Sequence, residues 1–196
     1  MNDFNSISVE RKGKNEELTV HNPTSYPLIG KGIQGAVFKI SENRCVKIFL
    51  KSKNVIKEKE AMIKAQNLPF MPKFFESGKN HIIMEYIEGP SLRDYLIGQG
   101  TIPSSITQQL VKMKKEMMRL GFTNLDRCVT RHIFVNKDGI LKVVDHANSY
   151  DKKPIPVRLL NTISELGLID IFMQQVQQMD AELYREWKDY LSKSRK

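Results

Sequence analysis

The sequence predicts an α+β protein in which a small antiparallel sheet carrying one helix precedes a mainly helical half. Alternating apolar segments separated by turn residues fill residues 29–49 and 74–86, and one segment at helical spacing lies between them. Beyond residue 91 most apolar residues recur at intervals of three and four, as in amphipathic helices. With 196 residues, of which 40% are hydrophobic, the chain suits one domain or two small lobes that share a cleft.

The predicted domain covers residues 26–196, with an N-lobe at 26–88 and a C-lobe at 89–196. Residues 1–25 are polar and rich in turn formers, so we interpret them as a lead-in with one short strand at Leu18–Val20. The change at residue 89 is a change from period-two to helical patterning, because strands alternate faces while helices repeat every three to four residues.

The elements follow in order from these periodicities. In the N-lobe, strands are predicted on both sides of a polar turn, then a helix, then two strands around a second turn: turn 41–44, helix 55–66, turn 77–80. In the C-lobe, four helices and one hairpin are predicted: helices 91–97, 102–120, 157–166 and 168–192, strands 133–135 and 141–144. The apolar stripe of the last helix is expected to be core, with an exposed Trp187 that binds a partner as the alternative.

The net charge of +9 raises the question of an acidic partner, because 31 Lys and Arg face 22 Asp and Glu. The excess is dispersed along the chain, and aromatic residues do not interleave with it as they do in base-stacking surfaces. A solvated basic surface together with an anionic nucleotide is therefore favoured over a nucleic acid or ribonucleoprotein partner.

No apolar run approaches the ~20 residues of a membrane span, so no membrane partner is expected. The first residues lack the basic start and apolar stretch of a secretion signal, which predicts a cytoplasmic protein. Cys45 and Cys128 lack the spacing of zinc or redox pairs, and both are expected to be free thiols.

Three glycines, Gly30, Gly32 and Gly35, have the spacing G-x-G-x-x-G, and Lys47 closes the strand after the next turn. Glycines let backbone N–H groups approach phosphate oxygens, and a lysine one strand later can reach the α and β phosphates of a nucleoside triphosphate. Dinucleotide-binding folds use the same spacing, but there it opens a helix, whereas here it opens a hairpin.

The order of four segments resembles the protein-kinase-like fold, from Tyr26 to about Tyr150, and in particular the short serine/threonine-protein kinases of bacilli. The segments are the glycine loop with its lysine strand, a hinge-like segment, a loop with the spacing of L-G-I-x-H-x-D, and a strand that ends in aspartate: residues 29–48, 84–92, 120–126 and 142–148. The resemblance implies a two-lobed fold with a small antiparallel sheet and a C-lobe that is reduced relative to full-length kinases.

The resemblance implies a site for ATP. Its nucleotide-binding residues would be Gly30, Lys31, Gly32, Gly35, Val37, Lys47, Glu85 and Ile87. A glutamate on the following helix would hold Lys47 against the phosphates. Glu58 is favoured for this role over Glu60, and because the two lie almost opposite each other on a helix, only one can face the lysine.

The resemblance makes Asp126 the catalytic residue that orients the attacking hydroxyl, and Asp145 a ligand of Mg²⁺, with Mn²⁺ as an alternative metal. Asn124 replaces the family's histidine, and His132 takes the place of its metal-binding asparagine at the start of a strand. Imidazole is a poor ligand for magnesium, so Arg131 is an alternative source of positive charge near the phosphates.

The function predicted from these residues is transfer of the γ-phosphoryl group of ATP to a serine or threonine hydroxyl of a protein whose identity the sequence does not reveal. One alternative is a pseudokinase, a nucleotide-binding signalling module without turnover. The other is a kinase-like phosphotransferase for small molecules or an ATPase, because the segment that normally supports peptide substrates is absent.

Overall fold

The computed structural model describes residues 3–13, 16–122, 130–147 and 157–194. The chain divides into two compact units. Unit 1 comprises Met1–Gln66 and Pro72–Ile87, and unit 2 comprises Asn67–Met71 and Glu88–Lys196. Over the described residues, no helix combines the length and apolarity required to span a membrane. The α+β class predicted from the sequence is confirmed.

Unit 1 is built on a five-stranded antiparallel sheet. Its strands and one helix are β3 (Leu28–Gly32), β4 (Gly35–Lys39), β5 (Arg44–Phe49), α1 (Ser52–Lys64), β6 (Phe74–Ser77) and β7 (His81–Glu85). The order of the strands across the sheet is β3-β4-β5-β7-β6. Tight turns join β3 to β4, β4 to β5 and β6 to β7, so consecutive strands pair as hairpins except where α1 intervenes.

The two faces of this sheet carry different residues, because side chains alternate along a strand. Val46 and Ile48 of β5 lie on one face, in a core cluster with Phe38 and Ile83. Lys47 points to the other face, the one on which α1 contacts the sheet through Val55, Glu58, Ala61 and Met62. The Lys47 strand is therefore buried on both sides.

The N-terminal segment, interpreted from the sequence as a lead-in, contributes residues to the unit 1 core. It forms a 3₁₀ turn (Asp3–Ser6) and a hairpin of β1 (Ser8–Glu10) and β2 (Thr19–His21), where the sequence predicted one strand. Phe4, Ile7 and Leu18 are buried in the cluster on the Val46 face. The isolated hydrophobic residues of a polar segment thus cover a sheet face that α1 leaves uncovered.

The described part of unit 2 is mainly helical and contains one hairpin. Its elements are α2 (Leu92–Gln99), α3 (Ser104–Arg119), β8 (Ile133–Val135), β9 (Leu141–Val143), α4 (Val157–Glu165), α5 (Ile169–Met179) and α6 (Ala181–Ser194). Ser91 caps α2 by accepting the Asp94 N–H, and Gly100 ends it in the left-handed conformation. The amide of Val143 donates to the carbonyl of Phe70, which ties the hairpin to the Asn67–Met71 segment.

The prediction of one helix over residues 168–192 is wrong, because the segment forms two helices that break at Asp180. Asp180 is extended, and its Oδ1 accepts the N–H groups of Glu182 and Leu183, which makes it the cap of α6. The break lets α6 fold back so that Trp187 stacks on Phe172, with ring centroids 5.3 Å apart. Trp187 is fully buried, so the partner-binding alternative is excluded and the core assignment is confirmed.

Replacing Asp180 with alanine tests this cap. The N–H of Leu183 and then Lys115 lower the pKa of Asp180 below its ordinary 3.8, so its stabilising contribution is complete above that pH and is lost as pH falls through the lower pKa of the folded protein. We expect Asp180→Ala to lower the free energy of unfolding by about 1 kcal/mol at pH 7, and less at pH 3. Urea unfolding at several pH values measures this, with the exposed Asp189→Ala as control; an effect of equal size at pH 3 would contradict it.

Candidate functional site

In unit 1, the glycine loop is the tight connection between β3 and β4, and its glycines serve different purposes. At Gly35 an added Cβ would lie 2.0 Å from the carbonyl oxygen of Ile48, so the close approach of β4 and β5 requires glycine there. An added Cβ at Gly32 would meet nothing within 4 Å, and at Gly30 it would make ordinary contacts with Val37. Packing within the described chain therefore explains Gly35 but not Gly32.

The strand register aligns the predicted nucleotide-binding residues of the sheet in one row. Gly30 pairs with Val37, Val37 with Lys47, and Lys47 with Ile82. Directly opposed residues of antiparallel strands point to the same face, so the side chains of Val37 and Lys47 are neighbours on the α1 side of the sheet. The structure thus brings three of the sequence-predicted positions together across adjacent strands.

Lys47 and Glu58 form a buried ion pair. Lys47 Nζ lies 2.6 Å from Glu58 Oε2, and the exposed fractions of the two side chains are 9% and 0%. Lys47 can contact Glu58 because Glu58 lies on the buried face of α1 together with Val55 and Met62. Glu60 is exposed on the other side of the helix. The alternative left open by the sequence is therefore resolved in favour of the Lys47–Glu58 pair.

Phe49 adds a contact that the sequence analysis missed. The Lys47 ammonium group lies 4.8 Å from the centroid of the Phe49 ring, on the same face of β5. The sequence does predict this proximity, because residues two apart on a strand, such as Lys47 and Phe49, share a face. Burial also raises the pKa of the neighbouring Cys45 thiol to about 12, so that group is protonated at physiological pH beside the lysine.

Lys31 and Glu85 have partners of their own within unit 1. Lys31 Nζ lies 3.1 Å from Glu17 Oε2 of the N-terminal segment, a surface ion pair that no local sequence pattern indicates. The carboxylate of Glu85 accepts the Lys73 N–H at 2.9 Å, and its carbonyl accepts the Cys45 thiol. After Tyr86, whose N–H donates to Asn43, the backbone of Ile87 makes no hydrogen bond to the described residues.

In unit 2, His132 and Asp145 come together beside the β8–β9 hairpin. His132 Nδ1 lies 3.9 Å from Asp145 Oδ2, and both side chains are about one-third exposed. The Val144 N–H donates to the His132 carbonyl, which holds the end of β9 against the turn that precedes β8. Asp145 has a φ of 68°, and it is the one non-glycine residue with positive φ in the described part of the chain. The left-handed conformation is uncommon for a residue with a side chain, although aspartate tolerates it better than most.

The residues after Asp145 are anchored in unit 2. His146 is buried, its ring Nε2 lies 2.8 Å from the carbonyl oxygen of Val143, and its ring meets Phe122 edge to face. Ala147 is also buried. Arg131 is exposed on the 3₁₀ turn Thr130–His132, which leaves its charge in solvent. Asp126 and Asn124, the other predicted residues of this region, lie outside the described residues.

The donors present fit a magnesium ion in part. Magnesium is typically bound by one or two carboxylates, with phosphate oxygens and water completing its shell, so the exposed carboxylate of Asp145 is a suitable ligand. The imidazole of His132 is a softer donor that suits transition metals better. In the described ranges, no three His, Cys, Asp or Glu side chains are grouped as a metal site. A metal here would therefore depend on ligand oxygens.

A double-mutant cycle tests the buried ion pair. We expect Lys47→Met to lower the free energy of unfolding by about 3–5 kcal/mol, because it leaves Glu58 buried without its counter-charge. The double variant Lys47→Met/Glu58→Leu should cost much less than the sum of the single changes. Urea unfolding of the four proteins measures the coupling energy.

The exposed pair Lys31–Glu17 provides the matched control. The same cycle with Lys31→Met and Glu17→Leu should give a coupling below about 1 kcal/mol, because water screens exposed charges. Additive effects at Lys47 and Glu58 would contradict the pairing.

The chain is similar to two curated proteins, although no family model matches it. It is 30% identical over 141 residues to the "Putative serine/threonine-protein kinase YrzF" of Bacillus subtilis, an alignment that covers 69% of this chain and 61% of YrzF. It is 25% identical over 149 residues to the "Probable serine/threonine-protein kinase fnkB" of Dictyostelium discoideum, covering 72% of this chain and 27% of fnkB. The chain thus spans less than two thirds of either relative. These similarities, together with the order of its motifs, support a kinase-like family for this chain.

Proposed function

We propose that the chain is a serine/threonine protein kinase of two-lobed, kinase-like fold that binds ATP with Mg²⁺ and phosphorylates a hydroxyl of a protein substrate. The observation that carries the proposal is the buried Lys47–Glu58 pair. A fold has no need of a buried ion pair for stability, since apolar residues of the same volume serve as well. We assign the ion pair a functional purpose: Glu58 holds Lys47 rigidly in position to bind phosphate.

Further support comes from positions in unit 1 that the fold does not explain. Gly32 has open space where a side chain would lie, so a ligand that approaches the backbone accounts for a glycine that packing does not require. The backbone of Ile87, which makes no hydrogen bond to the part of the chain that the structure describes, would offer its N–H and C=O groups to the edge of an adenine ring. Together with Val37 and Lys47 on one face, these positions suit a nucleotide.

In the proposed reaction, the oxygen of the acceptor hydroxyl forms a bond to the γ phosphorus while the bond from that phosphorus to the β–γ bridging oxygen breaks, releasing ADP. Asp126 orients the hydroxyl and accepts its proton. Lys47 holds the α and β phosphates. Bound Mg²⁺ would supply charge neutralisation at the phosphates, with Asp145 as its protein ligand and His132 as the residue beside that carboxylate.

A pseudokinase is the second candidate. His132 and Asn124 depart from the family pattern, and the buried His146 anchors a segment that in kinases carries a glycine. A nucleotide-binding protein without turnover would tolerate these changes. A phosphotransferase for small molecules, or an ATPase, would tolerate the loss of the segment that supports peptide substrates.

Phosphate transfer from γ-labelled ATP, with Mg²⁺ or Mn²⁺ and a generic protein substrate, distinguishes these functions. We expect labelled serine or threonine, with at least about 100-fold less label for Asp126→Asn and for Lys47→Met, because each removes a group required in the transition state. The matched controls Asp138→Asn and Lys79→Met alter exposed residues outside the site and should retain activity.

The other possible results of this assay would each favour one of the alternative functions. ATP-dependent thermal stabilisation without any turnover would leave the pseudokinase, while free labelled phosphate or a labelled small molecule would indicate the third function. Thermal unfolding of every variant shows whether lost activity reflects lost folding.

A further inference from the structure

The outer face of α1 exposes two isoleucines. Ile56 and Ile63 are 59% and 52% exposed, and they lie on one stripe of the helix because residues seven apart are almost two full turns from each other. The opposite side of the helix already provides its packing through Val55, Ala61 and Met62. Packing against the described residues therefore does not require apolar residues at positions 56 and 63.

Three exposed lysines lie beside this stripe. Lys53 and Lys57 flank it on one side and Lys59 on the other, and all three are exposed. Glu60 is the one acidic residue on the exposed side of α1, since Glu58 points inward to Lys47. We call Lys53, Ile56, Lys57, Lys59 and Ile63 the outer face of α1. Its centre is apolar, and its rim carries three positive charges against the single negative charge of Glu60.

An apolar centre inside a charged rim is the anatomy of a protein–protein interface. Isolated exposed apolar residues are normal, but a pair aligned on one helical stripe between lysines is a patch. The sign of the rim selects the partner, because lysines steer and retain an acidic surface and repel a basic one. Charge complementarity thus points to carboxylates around an apolar anchor.

We propose that the outer face of α1 binds an acidic protein segment that places one or more apolar side chains on Ile56 and Ile63 and its carboxylates against Lys53, Lys57 and Lys59. A membrane is less well matched, because interfacial helices carry a broad apolar face, often with aromatic residues, and here Glu60 lies beside the stripe. A nucleic acid is less well matched because the face has no aromatic residue or arginine for stacking. The proposal does not depend on kinase activity.

The probe is a fluorescein-labelled synthetic peptide with leucines at helical spacing and glutamates elsewhere, titrated with the full chain at moderate salt. Two comparison peptides separate the contributions: one replaces leucine with serine, and the other replaces glutamate with glutamine. Vesicles of anionic phospholipid and a single-stranded oligonucleotide test the other partner classes. The parent peptide should bind at least about tenfold more tightly than either comparison peptide.

Variants then locate the binding site. Lys53→Gln/Lys57→Gln/Lys59→Gln and Ile56→Ser/Ile63→Ser should each weaken peptide binding about tenfold or more. The triple control Lys79→Gln/Lys112→Gln/Lys137→Gln has the same net charge as the first variant and should change binding less than about twofold. Amide shifts of the unaltered protein should concentrate in residues 52–64.

Four results would overturn the proposal. They are failure of the parent peptide to bind, equal loss in the control triple variant, amide shifts elsewhere than α1, and tighter binding of vesicles or oligonucleotide than of the peptide. The amide shifts require no substitution, so the test holds even if a variant folds poorly.

Discussion

The buried contact between Lys47 and Glu58 is the interaction on which unit 1 depends. The Glu58 side chain is fully buried and the Lys47 side chain is 9% exposed, so each charge compensates the other, and removal of one leaves a costly buried charge. The contact also joins two elements, because Lys47 lies on β5 and Glu58 on the buried face of α1. Any register shift of β5, or rotation of α1 about its axis, would break it.

The pair also constrains the rest of the sheet. Its face of β5 is occupied by α1, so the opposite face must find another cover, and the N-terminal segment provides it with Phe4, Ile7 and Leu18. The close approach of β4 to β5 requires Gly35, and β5 is the strand that carries Lys47. The glycine loop is therefore attached directly to the lysine strand, which is the arrangement that a phosphate-binding site needs.

The sequence was sufficient to predict the strands and helices whose apolar residues follow a strong periodic pattern. The alternation around Lys47 predicted the hairpins of unit 1, and helix geometry showed that only one of Glu58 and Glu60 could face Lys47; the structure selects Glu58. The sequence was insufficient where contacts between distant parts of the chain determine the structure. Nothing local indicates that Phe4 is core or that Glu17 pairs with Lys31, and the break at Asp180 depends on a cap that lies within an otherwise helical pattern. The roles of Asp126, Asp145 and His132 remain predictions from resemblance.

The central claim is that the Lys47–Glu58 pair exists to hold phosphate. Isothermal titration of ATP with Mg²⁺, and separately of adenosine, into the wild-type chain and into Lys47→Met/Glu58→Leu tests it most directly, because the double variant removes both charges together and keeps the site apolar. We predict that the variant binds ATP at least about tenfold more weakly and adenosine within about twofold of the wild-type affinity. Unchanged ATP affinity, or an equal loss for both ligands, would contradict it.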